Sequence, residues 1–467
     1  MKCSLVMLKK IKECFIYFRN RFTSFDINIR IFSKIKLFIK GECKIMNKNN
    51  IKIYKGNIIF TKTPDKFESI ENGYILVEGS SIKKICKDLD ENYKNMEIID
   101  FGDKMIIPGF VDLHLHAGQF RNMGLGMDKE LLPWLETYTF PEESKFQDIN
   151  YAKEVYLEFV NALLKSGTTR SVIFATLHKE ATEVLFDLLI KSGMGAFIGK
   201  VNMDRNSPNY LIEKTEKSLE DTEYFIKKYG NSNELVKFII TPRFIPTCSS
   251  ELMTGLAELA QKYKIPVQSH LSENTGEINW VHELHPERDS YLDVYDNYGI
   301  LGESSAIMAH CVHNDDKEME IMKKRGVFVA HCPTSNINLS SGTAPVKKYM
   351  DKGIDVGIGS DISGGHILSI KDCTAYTLQA SKIYNMYVDK NSPILKTSEV
   401  FYLATKGGGK FFGKVGSFEE GYEFDALVIN DINTDRALDE RLQSFIYSGS
   451  LENIEKRFCA GKEIKEI

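Results

Sequence analysis

The chain has 467 residues, 43% of them hydrophobic and 27% charged, so it is long enough to bury a barrel-sized core beneath a polar surface. Its formal net charge of −4 offers no general attraction for nucleic acid or an anionic membrane, and small molecules are therefore the expected partners. The nine cysteines are an odd, scattered set without a C-x-x-C pair, which indicates a reducing compartment and predicts a cytoplasmic protein.

The first 45 residues differ in composition from the rest, with eleven Lys and Arg against three acidic residues. Their apolar pieces are interrupted by residues such as Lys9, Lys10 and Glu13, which argues against a secretion signal. We interpret residues 1–45 as a basic leader that is disordered or not part of the fold, with Met46 as an alternative start. A helix on a membrane surface is the second interpretation.

Short alternating apolar runs bounded by Gly, Asn, Asp or Ser occupy residues 46–107, as in "IKIYKGNIIF" and "GYILVEG". This texture predicts β-strands, and it returns in residues 413–467 with "FDALVINDI" and "IEKRFCAGKEI". We therefore predict a small β-sandwich-like domain built from both chain ends. Residues 108–412 are then an insertion between its two parts.

The insertion alternates apolar strand-like runs with helix-length segments, which is typical of βα units around a parallel sheet. Eight runs over about 300 residues predict an α/β fold, a (β/α)8 TIM-like barrel. The runs, in chain order, are "GFVDLHLH", "TRSVIFAT", "GAFIGKVNM", "VKFIITPRF", "IPVQSHLSE", "SAIMAHCV", "GVFVAHCP" and "DVGIGSD".

Polar residues with ligand or acid–base chemistry stand at the carboxyl ends of these runs, where barrel enzymes place their active sites. Since residues i and i+2 of a strand point to one side, we expect the two histidines of the first run to converge. A mixed imidazole and carboxylate set suits Zn²⁺ or Fe²⁺ better than Mg²⁺ or Ca²⁺. The alternative is that these are unrelated buried histidines, but residues of this kind would then have to occur by chance at several strand ends. The residues are His114, His116, Arg243, His270, Glu273, His310, His331 and Asp361.

Several motifs occur in the order found in guanine deaminases of the amidohydrolase superfamily, and the chain resembles that family over about residues 50–465. The resemblance implies a metal-dependent barrel with a flanking β domain, a homodimer, and hydrolysis of guanine to xanthine and ammonia. The combination of "TPRF" with "SHLSEN" is its most specific part. The motifs are "PGFVDLHLHAGQF", "LLPWLETYTFPEE", "GKVNMD", "TPRF", "QSHLSEN", "MAHC", "AHCPTSN" and "GSDISGG".

The resemblance also implies roles for individual residues. The positions that match the metal ligands are His114, His116, His270, His310 and Asp361. Glu273 matches the proton shuttle, and with Asp361 and His310 it makes up the expected catalytic group. The positions that match the purine-binding residues are Gln119, Arg243 and Phe244. Four residues already named are also expected to contact the substrate: His116, His270, Glu273 and Asp361.

Chemistry supports these roles. Zn²⁺ lowers the pKa of bound water from about 15.7 toward roughly 7, so hydroxide becomes available at neutral pH. We expect Asp361 to accept the proton of the water, and Glu273 to protonate the purine ring and then the departing amine. Arg243 is always charged, and its fork can donate to the O6 carbonyl of guanine, which adenine lacks.

Two positions depart from the superfamily pattern. Gly118 stands where family members commonly have proline, so we expect the loop that carries Gln119 to be looser. The strand that ends at Arg243 offers no lysine to bridge two metals, and we therefore expect one Zn²⁺ per chain, with Fe²⁺ as the alternative ion.

Two other functions remain open at this stage. An aminohydrolase acting on a different purine, a pterin or a triazine would use the same ligands and differ in the pocket residues. A non-catalytic amidohydrolase-like scaffold would be expected to have lost ligands, whereas all five positions are filled here.

Overall fold

The computed structural model of the chain describes residues 51–302, 304–431 and 434–467, so the basic leader and Met46 lie outside the described residues. The strands of the described range are, in chain order, β1 (Ile51–Phe60), β2 (Glu68–Glu78), β3 (Ser81–Cys86), β4 (Ile98–Pro108), β5 (Phe110–His116), β6 (Thr168–Phe174), β7 (Gly195–Gly199), β8 (Val201–Asn202), β9 (Val236–Phe238), β10 (Thr241–Pro242), β11 (Val267–Leu271), β12 (Ala306–His310), β13 (Phe328–His331), β14 (Asp355–Ile358), β15 (Ala426–Ile429), β16 (Ile454–Cys459) and β17 (Lys462–Glu463).

Most helices of the described range lie between barrel strands, as the alternating pattern predicts. None of them has the length and apolar composition needed to cross a bilayer. The α-helices are α1 (Leu131–Trp134), α2 (Phe140–Ser144), α3 (Ile149–Lys165), α4 (Lys179–Ser192), α5 (Thr215–Tyr229), α6 (Ser250–Tyr263), α7 (Thr275–Leu284), α8 (Tyr291–Asn297), α9 (Asp316–Arg325), α10 (Pro333–Asn338), α11 (Val346–Lys352), α12 (Ile370–Tyr387), α13 (Thr397–Tyr402) and α14 (Leu438–Ser448).

Strands from both ends of the described chain form one seven-stranded sheet, in the order β17-β16-β15-β4-β1-β2-β3. β1 and β4 are parallel, and β15 joins them by pairing antiparallel with β4. The sheet curls back on itself, because Ile82 of β3 exchanges main-chain hydrogen bonds with residues 421 and 422, just before β15. Its aromatic core includes Tyr54 stacked on Phe424 with ring centroids 4.7 Å apart. The domain boundaries at 107/108 and 412/413 stay predictions.

The eight strand-like runs of the insertion all contain strands, which confirms the predicted barrel. Two four-stranded parallel sheets have the orders β5-β6-β7-β9 and β11-β12-β13-β14. One junction is made by Ile240, whose main chain bonds to Pro266 and Gln268 beside β11. At the other junction, Asp361 N donates to His114 O at 2.9 Å. The strands therefore close into a ring at their carboxyl ends.

The helices cover the barrel with one apolar face each. In α3, apolar residues recur every three or four positions, so they lie on one side of the helix and are buried against the strands. The Asp148 side chain caps this helix by accepting a hydrogen bond from Asn150 N. The buried residues of α3 are Ala152, Val155, Tyr156, Phe159, Val160, Leu163 and Leu164.

Candidate active site

The five residues expected to hold a metal ion lie together at the carboxyl end of the barrel. His114 and His116 are in the last three positions of β5, His270 is in β11, His310 ends β12, and Asp361 follows β14 by three residues. Four of these side chains are buried and that of His270 is partly buried. Closure of the barrel thus brings together residues up to about 250 positions apart in the sequence.

The ligand atoms of these side chains face a common point. Nε2 of His114 lies 3.2 Å from Oδ1 of Asp361, and Nε2 of His116 lies 3.4 Å from the same oxygen. Nε2 of His116 is also 3.2 Å from Nε2 of His270. Nε2 of His310 completes the group at 3.8 Å from Oδ2 of Asp361.

Several residues at these strand ends have left-handed backbone conformations. The φ angles are 49° at Ser272, 71° at His310 and 48° at Asp361. Residues other than glycine adopt this region at a cost, and they keep it where the surrounding structure dictates their conformation, often at functional sites. Here the turns redirect the chain as each strand ends, which places the side chains around the barrel mouth.

The described residues include two overlapping groups whose ligand atoms lie within 4.8 Å of one another: His114, His116 and His270, and a second group in which His114 is joined by His310, Cys332 and Asp361. The sequence analysis did not include Cys332 among the expected ligands. Burial and the neighbouring carboxylates raise the pKa of its thiol well above the ordinary value. A protonated thiol is a poor ligand, so the histidines and Asp361 are the better candidates.

The electrostatics of the cluster suit metal coordination, which requires neutral imidazoles and an ionised carboxylate. Burial lowers the pKa of His114, and burial together with neighbouring imidazoles lowers the pKa values of His116 and His270 well below the ordinary value. Burial alone would raise the pKa of Asp361, but its contacts with His114 and His310 outweigh this and lower it to about 2.

Hydrogen bonds from outside the cluster orient two of the imidazoles. Nδ1 of His270 lies 2.6 Å from the main-chain oxygen of Arg243, and Nδ1 of His310 lies 2.8 Å from Oδ1 of Asn336. In each ring the Nδ1–H donates, which leaves Nε2 as the lone-pair nitrogen that faces the cluster. Nε2 of His114 is buried without a well-aligned hydrogen-bond partner among the described residues. These features fit a divalent metal ion.

Glu273 lies beside the cluster, just beyond β11, and its side chain is buried. Its Oε2 is 3.3 Å from Nε2 of His310, and its Oε1 accepts a hydrogen bond from Ser341 Oγ at 3.3 Å. Burial and the nearby charges of Glu277 and Asp361 raise the pKa of Glu273 well above its ordinary value. A carboxyl group in this setting can hold a proton at neutral pH and deliver it.

A cavity opens in front of the cluster, with about 400 Å³ of empty space that includes its mouth open to solvent. Apolar side chains from α1 and its surroundings form part of its wall, and Glu273 lies at its polar end. The substrate-binding residues expected from sequence, Gln119, Arg243 and Phe244, all line it. The complete lining is His116, Gln119, Leu131, Trp134, Leu135, Arg243, Phe244, His270, Glu273, Glu277, His310, Leu339 and Asp361.

Gln119 and Arg243 are joined by a carboxylate that the sequence analysis did not single out. Oε1 of Glu143 accepts from Gln119 Nε2 at 2.8 Å, and Oε2 of Glu143 accepts from Arg243 Nη1 at 2.6 Å. Oε1 of Gln119 in turn accepts from the main-chain nitrogen of Ser363 at 3.2 Å. The Gln119 side chain is thus held at both ends, although Gly118 precedes it.

Three supporting residues were missed: Glu143, Asn336 and Glu277. Glu143 and Asn336 stand inside the motifs "TFPEE" and "AHCPTSN". Neither motif has a spacing that indicates a hydrogen bond to a metal-ligating or substrate-binding residue. Glu277 had a readable signal, because "NTGE" is a capping-box pattern. Its carboxylate accepts from the main-chain nitrogens of Glu273 and Asn274, which ties the start of α7 to the site.

Comparison with known proteins identifies the family of the chain. The model of the amidohydrolase family matches residues 105–464. A guanine deaminase of Dictyostelium discoideum is 39% identical over 444 residues, which cover 89% of this chain and 98% of that protein. The guanine deaminase of Homo sapiens is 37% identical over 409 residues, covering 83% of this chain and 89% of that protein.

A solved structure is also similar. The crystal structure of guanine deaminase from C. acetobutylicum, with guanine bound in its active site, superposes with a TM-score of 0.88 and 54% sequence identity. The match covers 89% of this chain and all of that one.

Proposed function

The chain belongs to the amidohydrolase family and, within it, to the guanine deaminases, and we infer that it hydrolyses guanine to xanthine and ammonia. One structural observation carries this inference: a single cavity is lined by the histidine and aspartate cluster, by the buried acid Glu273, and by the donors Gln119 and Arg243. The cluster and Glu273 supply hydrolytic chemistry. The donors Gln119 and Arg243 supply a way to recognise an oxopurine.

Amidohydrolases are metal-dependent, and we propose that this chain holds one Zn²⁺ through His114, His116, His270, His310 and Asp361. The neutral imidazoles, the ionised carboxylate and the short distances between their ligand atoms support this choice. Three or more nitrogen ligands with one carboxylate suit Zn²⁺, and Fe²⁺ is the alternative ion. When bound, the ion would supply a water molecule activated at neutral pH.

The proton transfers fall to two carboxyl groups. In the proposed reaction, water adds to C2 of guanine and Asp361 takes the proton that the water loses. Glu273 protonates the ring nitrogen beside C2, and the resulting carboxylate takes the proton of the new C2 hydroxyl and passes it to the amino group, which leaves as ammonia as the C2 carbonyl forms. The proton held by Asp361 then returns to Glu273 and restores both groups. Because guanine and water give xanthine and ammonia, no further reactant is needed. A high pKa for Glu273 supports its starting as the acid.

Recognition of the base is assigned to Gln119, Arg243 and Phe244. The guanidinium of Arg243 offers donors to O6 of guanine, whereas adenine presents an amino donor there and leaves buried donors unpaired. Phe244 is buried, with its ring centroid 6.5 Å from that of His270, and it offers an aromatic wall to the base.

Ammonia release tests this function directly. Metal-loaded protein is incubated separately with guanine, adenine, cytosine and 8-oxoguanine, and ammonia is measured while xanthine is followed by its absorbance. We expect rapid turnover of guanine and little or none of adenine. Release from another base without release from guanine would assign the chain to a different aminohydrolase specificity. The guanine-bound neighbour argues against that alternative, and the completeness of the ligand set argues against a non-catalytic scaffold.

We further propose that the protein works in the cytoplasm as a homodimer. All six described cysteines are free thiols, which supports a reducing compartment. The dimer rests on the family resemblance, and light scattering coupled to size-exclusion chromatography measures it directly.

A further inference from the structure

We propose that Glu143 is a positioning residue that sets the preference for the 6-oxo group of the base. This inference rests on the proposed function and adds to it a residue that does not line the cavity. Glu143 acts on the substrate through Gln119 and Arg243, the two donors that do line it.

The Glu143 carboxylate holds the side chains of Gln119 and Arg243 in place, and we call this three-residue group the clamp. Each of its two carboxylate oxygens accepts one hydrogen bond, from Gln119 Nε2 at 2.8 Å and from Arg243 Nη1 at 2.6 Å. All three side chains are at most 3% exposed, so water does not compete for these bonds. The guanidinium of Arg243 also lies over the ring of Phe140, 5.1 Å from its centroid, which fixes its plane.

The clamp determines which hydrogen-bonding groups the cavity offers. Oε1 of Gln119 is occupied by the main-chain nitrogen of Ser363, and one N–H of its amide is directed at Glu143. The second N–H of Gln119 and the remaining N–H groups of Arg243 are left for the cavity. Both residues therefore present donors, which match the acceptor O6 of an oxopurine and reject an amino group at that position.

The carboxylate is also the nearby counter-charge for Arg243. A buried guanidinium beside the imidazole cluster opposes cation binding there, since Arg243 lines the same cavity as His116 and His270. Pairing with Glu143 reduces this repulsion. An amide in place of the carboxylate would remove the charge and leave one acceptor oxygen where the structure uses two.

The test compares Glu143→Gln with Glu142→Gln. Glu142 is the adjacent residue on the same helix, but its carboxylate bonds to Lys145 and Tyr151 and does not line the cavity. For each protein, inhibition constants against guanine are measured for two bases that lack the 2-amino group: hypoxanthine, which carries O6, and purine, which does not. The purine-to-hypoxanthine ratio of inhibition constants then reports recognition of O6 without requiring turnover of either probe.

We expect hypoxanthine to bind more tightly than purine in the unmodified protein and in Glu142→Gln. In Glu143→Gln, measured with saturating zinc, the ratio should fall by at least tenfold, and the Tm should fall as well because Arg243 is left buried without its counter-charge. An unchanged ratio, even with slower turnover or a lower Tm, would make Glu143 a structural residue and overturn the inference. Failure of the unmodified protein to release ammonia from guanine is a separate outcome, and it would overturn the proposed function.

Glu143→Asp provides a second variant, because it keeps the charge and shortens the side chain by one methylene. It should lose part of the preference for hypoxanthine, because the shorter side chain cannot contact Gln119 and Arg243 at the same distances. If neither variant at position 143 yields folded protein while Glu142→Gln does, Glu143 serves folding and the inference is wrong.

Discussion

Nδ1 of His270 lies 2.6 Å from the main-chain carbonyl oxygen of Arg243, so one residue supports two parts of the site. Its main chain orients a proposed metal ligand, while its side chain faces the cavity. The segment that follows β10 thereby connects a proposed metal ligand to a proposed substrate-binding residue. Because the two contacts use different parts of Arg243, substitution of its side chain can separate them.

Arg243→Lys should lower kcat/KM for guanine at least tenfold and leave metal content unchanged. Lysine keeps the charge but lacks the planar guanidinium that can bond Glu143 and the base at the same time. The bond from His270 to the main chain does not depend on the side chain, which is why the metal should stay. Steady-state kinetics and elemental analysis measure the two quantities. Arg121→Lys is the control, since Arg121 pairs with the exposed Glu154 and Glu158. Unchanged guanine kinetics would show that the Arg243 side chain takes no part in substrate recognition.

Glu273→Gln should retain about one metal ion per chain and lose roughly 10² to 10⁴ in turnover, the usual contribution of a general acid–base group. Its carboxylate lies beside the cluster, and its raised pKa suits a proton carrier better than a ligand. His114→Ala should instead empty the site. Elemental analysis of both purified variants distinguishes the roles. A metal-free Glu273→Gln protein would contradict the assignment.

Asn336→Ala should weaken zinc affinity about 10- to 100-fold, because Asn336 accepts from Nδ1 of His310 and so fixes the nitrogen that faces the cluster. Competition with a chromogenic chelator measures the affinity. Asn385→Ala is a matched control, since that amide bonds to the main chain of residues 390 and 392, away from the cavity. Equal affinity in the two variants would show that His310 needs no such support or is not a ligand.

Arg170→Met should destabilise the protein by about 3–5 kcal/mol, because it leaves the fully buried carboxylate of Asp425 without its cation. Arg170 comes from β6 of the barrel, and it bonds both oxygens of Asp425, which precedes β15 of the seven-stranded sheet. Urea denaturation gives the change in free energy of unfolding. Arg121→Met, at an exposed ion pair, should cost about 1 kcal/mol or less. Similar losses in the two variants would argue against a stabilising role for the buried pair.

The sequence by itself determined the barrel and the identity of the cluster. The alternation of apolar runs with helical segments is local information, and the rule that parallel strands end at one rim converts chain order into proximity. His114, His116, His270, His310, Glu273 and Asp361 could be placed at that rim because each ends or follows a run. That both chain ends contribute strands to one β domain was readable for the same reason, as alternation marks strands wherever they occur, but their arrangement as one seven-stranded sheet was not.

Only the tertiary structure decided what supports those residues. Glu143 is 24 positions from Gln119 and 100 from Arg243, and no periodicity links the three. Asn336 and His310 are 26 positions apart, on a helix and a strand. The loop after Gly118 was expected to be looser, yet Glu143 and Ser363 hold its Gln119 side chain at both ends. Hydrogen bonds between such side chains depend on differences in distance of a few tenths of an ångström. These distances are set when strands, helices and loops pack and not by the order of residues along the chain.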